Sequence, residues 1–205
     1  SGGRIAADEL GDRVDTVVDS GYFEVAKRLG CNVVAQRVEI VERLRDVDPD
    51  SAAGEDFLDA ISPFVWRRSL DFGAIDDIRR LTLRIRDAHS GPRTPGPGYD
   101  VKRGRGGIRE AEFFAQTHQL IHGGRHPDLR LRGTRAALDA LAAAEIIASE
   151  AAREIGEAYD RLRTAEHRLQ MVADRQTHML PQDEAGLANV ARLAGFDDAA
   201  GWIAH

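Results

Sequence analysis

A single cysteine, Cys31, stands among the 205 residues. No disulfide can close within the chain, and this usage fits a reducing, cytoplasmic compartment. Aromatic residues are scarce at 6%, while Ala, Leu, Arg and Glu are abundant, a composition that leans towards helix. No apolar run approaches the roughly 20 residues that span a bilayer, so no membrane partner is expected. The first residues, Ser1-Gly2-Gly3-Arg4, carry no apolar signal core. No segment alternates apolar and polar residues convincingly enough to read as a strand, and no internal repeat is visible. The formal net charge of −6 argues against a nucleic-acid partner.

Hydrophobic residues (42%) and charged residues (30%) stand in ordinary soluble proportions. The length allows one well-cored domain or two small ones. The charge is spread unevenly. From Asp100 to Arg135 eight Lys and Arg residues face four acids, a local positive excess that reads either as a site for something anionic or as a solvated Arg-rich surface.

Three prolines and three glycines crowd Ser90-Gly91-Pro92-Arg93-Thr94-Pro95-Gly96-Pro97-Gly98, which cannot continue a helix and reads as an exposed loop. Helical spacing is visible on both sides of it. Before the loop it predicts helices over 5–18, 33–45, 57–70 (with Pro63 opening a second piece) and 73–89, where Ile75, Ile78, Thr82 and Ile85 form the apolar face. After the loop it predicts helices over 107–122, ended by Gly123-Gly124, and over 134–144, opened by Thr134. The longest helix is expected from Ser149 to about 176, with Ile155, Tyr159, Leu162, Leu169 and Ala173 at alternating steps of three and four. Pro181 ends it, and two short helices close the chain. The expected fold class is all-α, an antiparallel helical bundle.

The densest chemical signal is Tyr99-Asp100-Val101-Lys102-Arg103-Gly104-Arg105-Gly106-Gly107-Ile108-Arg109-Glu110. Glycines admit close approach to the backbone, a helix start offers unpaired N–H groups, and Lys102 adds a point charge. Together these suit an anion. The order is not that of a Walker A loop, and no strand precedes it as in a Rossmann fingerprint. A tight structural turn accounts for the same glycines. The helix they open carries Arg109, Glu112, Gln116 and Gln119 as one polar stripe among Ile108, Phe113, Phe114, Leu120 and Ile121. Such a stripe either forms an internal network, with Arg109 and Glu112 at i, i+3, or faces a ligand or a neighbouring domain. His118, His122 and His126 lie at steps of four, but the glycine pair interrupts the helix before His126 and no H-E-x-x-H glutamate is present. They read as helix-end caps, and no metal site is expected. Glu166 falls on the apolar stripe of the long helix, where a carboxylate needs an ion-pair partner; Arg67 or Arg68 is the expected one. Cys31 has no redox motif or basic neighbour.

Four blocks in this order closely resemble the GlnE family. They are Pro63-Phe64-Val65-Trp66-Arg67-Arg68-Ser69-Leu70-Asp71-Phe72; the run from Asp100 to Phe113 continued by Gln119-Leu120-Ile121-His122-Gly123-Gly124-Arg125; Leu162-Arg163 with Glu166-His167-Arg168-Leu169-Gln170-Met171; and Gln176-Thr177-His178 with Leu180-Pro181. Residues 57–205 are accordingly expected to be a GlnE-type helical bundle domain, and 1–56 an N-terminal helical segment that matches the family poorly. The resemblance implies a helical domain that follows the first, de-adenylylating nucleotidyltransferase domain of a glutamine synthetase adenylyltransferase, an enzyme that attaches AMP to a tyrosine of glutamine synthetase and removes it by phosphorolysis. It implies ATP or ADP and magnesium in the parent enzyme, and as partners glutamine synthetase, a PII-type signal protein and the adjoining nucleotidyltransferase domains.

The family's catalytic carboxylates follow a Gly-Ser turn on a strand. Here the only D-x-D spacing, Asp46-Val47-Asp48-Pro49-Asp50, has neither and contains a proline. It reads as a helix-terminating turn, so no catalytic residue is expected in this chain and it is expected to be inactive alone. Lys102, Gly104, Gly106, Gly107 and Arg109 are the expected phosphate contacts, supported by Glu110, Glu112 and Glu166. Two other readings stand beside this one: a non-catalytic docking module for glutamine synthetase or a PII-type regulator, and the related helical region of a PII uridylyltransferase, which the full set of blocks disfavours.

Overall fold

The computed structural model describes residues 91–173 and 176–204, the stretch 62–68, and Asp59, Asp76, Asp77, Arg80 and Leu83 singly. The helices expected over 5–18 and 33–45, Cys31 and the 46–50 turn lie outside these residues. The described elements are helical, in keeping with the all-α expectation, and among them no helix is long and apolar enough to cross a membrane. They are α1 (Ile108–His122), a 3-10 turn (Pro127–Leu129), α2 (Thr134–Ala143), α3 (Ser149–Ala173), α4 (Glu184–Leu193) and α5 (Ala199–Ala204). One isolated antiparallel bridge joins Asp100 and Met179. The chain divides into two compact units: Ser1–Thr82 with Gln116–Gly133, and Leu83–Ala115 with Thr134–His205.

In the first unit, residues 62–65 are helical, with Pro63 in the opening turn where its missing N–H costs nothing. Val65, Leu120 and Leu129 are buried. Gln119 is buried too, and its Nε2 donates to the carbonyls of Leu129 at 2.6 Å and Leu131 at 2.7 Å. That side chain thereby ties the end of α1 to the turn that follows. Arg80 pairs with Asp76 one helical turn away at 2.5 Å, an exposed contact of small energetic weight.

The second unit holds two apolar clusters, and α3 contributes to both. Ala152 and Ile155 near its start pack with Ala115, Ala137 and Leu138. Leu162 and Leu169 further on pack with Tyr99, Val101, Leu180, Leu187 and Val190, and Trp202 of α5 lies against the same cluster. Truncating a leucine such as Leu169 in this setting costs about 2–5 kcal/mol. The turn between α2 and α3 places Glu145 at φ 56, with Ile146 N–H bonded back to Leu141 O at 3.0 Å. It is a left-handed helix cap made without glycine. Asp183 caps α4 by accepting from Gly186 N–H at 2.7 Å.

Candidate functional site

The glycine-rich segment folds onto itself. Asp100, buried, accepts the N–H groups of Lys102 at 2.9 Å and Arg103 at 2.8 Å through Oδ1, an Asx-type turn. Gly104 N–H donates to Asp100 O at 2.8 Å, Gly107 N–H to Gly104 O at 2.9 Å, and Ile108 and Arg109 N–H to the carbonyls of Val101 and Lys102 at 3.0 Å each. The Tyr99 hydroxyl donates to Arg105 O at 2.6 Å. Its pKa is raised, first by burial and then by the carboxylates of Glu110 and Asp100.

The glycines serve that closure. A Cβ on Gly104 would lie 2.4 Å from Asp100 O and 2.7 Å from the Tyr99 ring; one on Gly107 would lie 2.8 Å from two carbonyl oxygens. Gly106 is different, with open space around it and φ +77. The helix start was expected to present unpaired N–H groups, but those of Ile108 and Arg109 are bonded. They are taken by the loop's own carbonyls, which satisfy the orphan donors of a helix start. Of the expected cations, Lys102 is one-third exposed and Arg109 half-buried.

Lys102 leads to the centre of the site. Glu166 of α3 is only 2% exposed. Its Oε2 accepts from Arg163 Nη1 at 2.5 Å, while Oε1 lies 3.6 Å from Lys102 Nζ and 3.5 Å from His178 Nδ1. That last nitrogen is buried and has no hydrogen-bond partner among the described residues. Three basic groups from three segments thus converge on one buried carboxylate. The ion pair expected for Glu166 is present, but its partners are Arg163, Lys102 and His178 rather than Arg67 or Arg68. Arg163 sits one helical turn before Glu166, a spacing readable in the sequence. His178 arrives because the 178–180 strand-like segment pairs with 99–101: Val101 N–H donates to His178 O at 2.9 Å and Leu180 N–H to Tyr99 O at 2.8 Å. No local pattern announces that pairing.

The other expected residues fall as follows. Glu112 accepts from the Tyr159 hydroxyl at 3.4 Å, so this member of the polar stripe has a partner on α3. Glu110 lies in the first turn of α1, near enough to Tyr99 to hold its proton on. Gln116, in the other unit, is buried with its Nε2 unbonded among the described residues. His118 and His122 stack at 6.4 Å. The His122 pKa is lowered, chiefly by burial and then by His118, His126 and Arg125. Among the described residues no three His, Cys, Asp or Glu side chains group as a metal site.

A family profile described as GlnD PII-uridylyltransferase matches residues 80–205. A bifunctional glutamine synthetase adenylyltransferase/adenylyl-removing enzyme of Bradyrhizobium diazoefficiens is 51% identical over 149 residues, 73% of this chain and 15% of that protein. Proteins of the same description are 50% identical over 157 residues in Agrobacterium fabrum, 76% of this chain and 16% of that protein, and 49% identical over 148 residues in Rhodopseudomonas palustris, 72% and 15%. The chain therefore spans about 15% of the length of the curated relatives it matches.

Proposed function

The chain belongs to the GlnD PII-uridylyltransferase family, on the branch of the GlnE adenylyltransferases, and from that premise we propose that it is the helical domain beside the de-adenylylating centre of a glutamine synthetase adenylyltransferase. Its role there is to wall the active site and hold a nucleotide phosphate against the catalytic domain, whose carboxylates would carry the magnesium. The observation that carries this reading is the Glu166 cluster. Lys102 from the glycine segment, Arg163 and Glu166 from α3, and His178 from the segment beyond α3 belong to separate blocks of the family resemblance, and they meet at one point.

In this reading Glu166 is the anchor and Lys102 the reader. One side of the Lys102 ammonium faces Glu166 at 3.6 Å, and the group has three donors, so others remain to meet a phosphate oxygen. Gly104, Gly106 and Gly107 act by fixing where Lys102 stands, and Arg109 supplies a second cation one turn further on. Glu112 and Glu110 steady the helix start from which Arg109 projects.

Calorimetric titration of ADP with magnesium into the chain, beside a Lys102→Ala variant, tests the assignment. Saturable binding that the variant loses is expected. Shifts of the Gly104, Gly106 and Gly107 amides on titration that survive in Lys102→Ala remove Lys102 from the site. If neither protein binds, the chain reads no nucleotide by itself, and de-adenylylation by the intact enzyme carrying Lys102→Ala decides. Unchanged activity there ends the phosphate reading.

One observation favours a second reading, a docking module for glutamine synthetase. Exposed Val172 and Met179 line a groove of about 400 Å³ with Leu169, Leu180 and Val190, and Met171, next to Val172 in the chain, is 79% exposed. Exposed methionines of this kind suit an adaptable protein contact. A Met171→Asp variant that loses affinity for glutamine synthetase while Lys102→Ala keeps it would favour docking.

A further inference from the structure

In the first unit three arginines converge on one cavity with no acid among the described residues to meet them. The cavity measures about 670 Å³ and is lined by Arg68, Gly124, Arg125, Pro127 and Arg130. Two of the guanidinium groups are oriented from behind by main chain: Arg125 Nε donates to Arg68 O and Arg130 Nε to Gly123 O, each at 2.8 Å. Those bonds occupy Nε and leave the paired Nη groups as the donor edge. Arg130 also lies over the Trp66 ring at 5.6 Å, which holds the plane of its fork.

The wall is built by necessity from glycine. A Cβ on Gly124 would fall 1.9 Å from Arg67 O, and one on Gly123 would fall 2.9 Å from the Trp66 ring. Residues 66–68 and the turn after α1 are thus pressed together so closely that no other residue fits, and the press sets the spacing of the arginines. Among the described residues none of the three guanidinium groups forms an ion pair, and Asp128, the acid of the adjoining 3-10 turn, pairs with none of them. Like charges gathered without counter-charge repel one another, and their field is relieved when an anion enters.

We propose that this cavity binds a phosphoryl group, either free as inorganic phosphate or carried by a nucleotide. Several separate, fixed guanidinium forks suit a tetrahedral dianion, which offers oxygens in several directions; one fork suffices for a planar carboxylate. The volume lies within the range of small-ligand sites and accommodates a nucleoside diphosphate. The assignment shares no residue with the Lys102 cluster and stands or falls apart from it.

The test is titration of inorganic phosphate, and separately of ADP, into the chain at low ionic strength, followed by calorimetry and by the amide resonances of Gly123, Gly124 and Arg125. Saturable binding in the millimolar range or tighter is expected, with shifts centred on those amides. Arg68 has an exposed side chain with no hydrogen bond of its own among the described residues, so Arg68→Gln leaves the fold intact and weakens binding about tenfold. Arg125→Lys keeps the charge, loses the fork and weakens it as well, while Glu150→Gln, in an exposed pair of the other unit, leaves phosphate binding unchanged. ADP binding more tightly than phosphate identifies a nucleotide as the source, and equal affinities identify free phosphate. Absence of saturable shifts at these amides, or their indifference to Arg68→Gln, overturns the assignment.

Discussion

Replacing Glu166 by glutamine keeps the shape of a 2%-exposed side chain and removes the charge around which three basic groups are arranged. The bond from Arg163 falls from an ion pair to one between a charged donor and a neutral acceptor, a loss of about 1 kcal/mol. Lys102, at 3.6 Å, loses an electrostatic partner. Breaking a fully buried pair costs roughly 3–5 kcal/mol because a buried charge is stranded. Here Arg163 and Lys102 are 37% and 33% exposed, so water takes up much of their charge and the cost is discounted. A net destabilisation of about 2 kcal/mol follows, which in a chain of this size lowers Tm by about 4–8 °C. Thermal unfolding followed by circular dichroism measures it, and a double-mutant cycle with Arg163→Gln isolates the coupling. The Arg153–Glu150 pair, equally close at 2.5 Å but exposed, provides the control, and Glu150→Gln should melt with the parent. A Glu166→Gln protein as stable as the parent, or more stable, would refute the claim that this carboxylate holds the site together.

Further outcomes follow from single contacts. Gly104→Ala drives a methyl group onto Asp100 O and the Tyr99 ring and should cost about 2–3 kcal/mol in urea denaturation, whereas Gly106→Ala, in open space at φ +77, should cost about 1 kcal/mol of backbone strain; the reverse order would show that the loop is not self-packed. Glu145→Gly relieves a left-handed residue at φ 56 at some cost in chain entropy and should stabilise by about 0.5 kcal/mol; a loss of stability would place a needed contact on the Glu145 side chain. Because the folded-state pKa of His122 is lowered from 6.5, the unfolded chain binds more protons between those two values. The stability linked to this group is therefore present above pH 6.5 and lost as pH falls, and His122→Gln should flatten the urea midpoint between about pH 5 and 7; an unchanged slope would exclude His122 as its source.

The helices after the proline-rich loop were legible because their signals were local and redundant. For α1, periodicity and the Gly123-Gly124 stop agree within a residue with Ile108–His122, and Ala- and Leu-rich spacing after Thr134 locates α2 as well. The long α3 and the two short closing helices also stand where expected, although the structure traces α3 only to Ala173. The glycine segment was legible as unusual but not in its purpose. A missing Cβ makes room equally for a ligand or for the chain itself, and only the fold shows Tyr99 and the Asp100 carbonyl in that space. Glu166 announced itself as a carboxylate in need of a partner, since it interrupts an apolar stripe. Its partner Lys102 lies far away in sequence, and nothing local names it. The arginine cavity was visible only as a surplus of charge between residues 100 and 135, because Arg68 joins it from another part of the chain.

The pairing of 99–101 with 178–180 also has a kinetic meaning. It closes a loop of roughly 80 residues, and long closures must lose their chain entropy before any contact compensates for it. The α2–α3 hairpin, by contrast, joins neighbours across a short turn and can form early. The order of assembly should therefore put the hairpin first and the Lys102–Glu166–His178 junction last, so that opening begins at the junction. Amide protons of Val101 and Leu180 should exchange with solvent through that partial opening, well ahead of those in the middle of α2. The second unit would then be able to release the glycine segment and close it again while its helices remain folded, with exchange at these two positions as the measure of how often it does so.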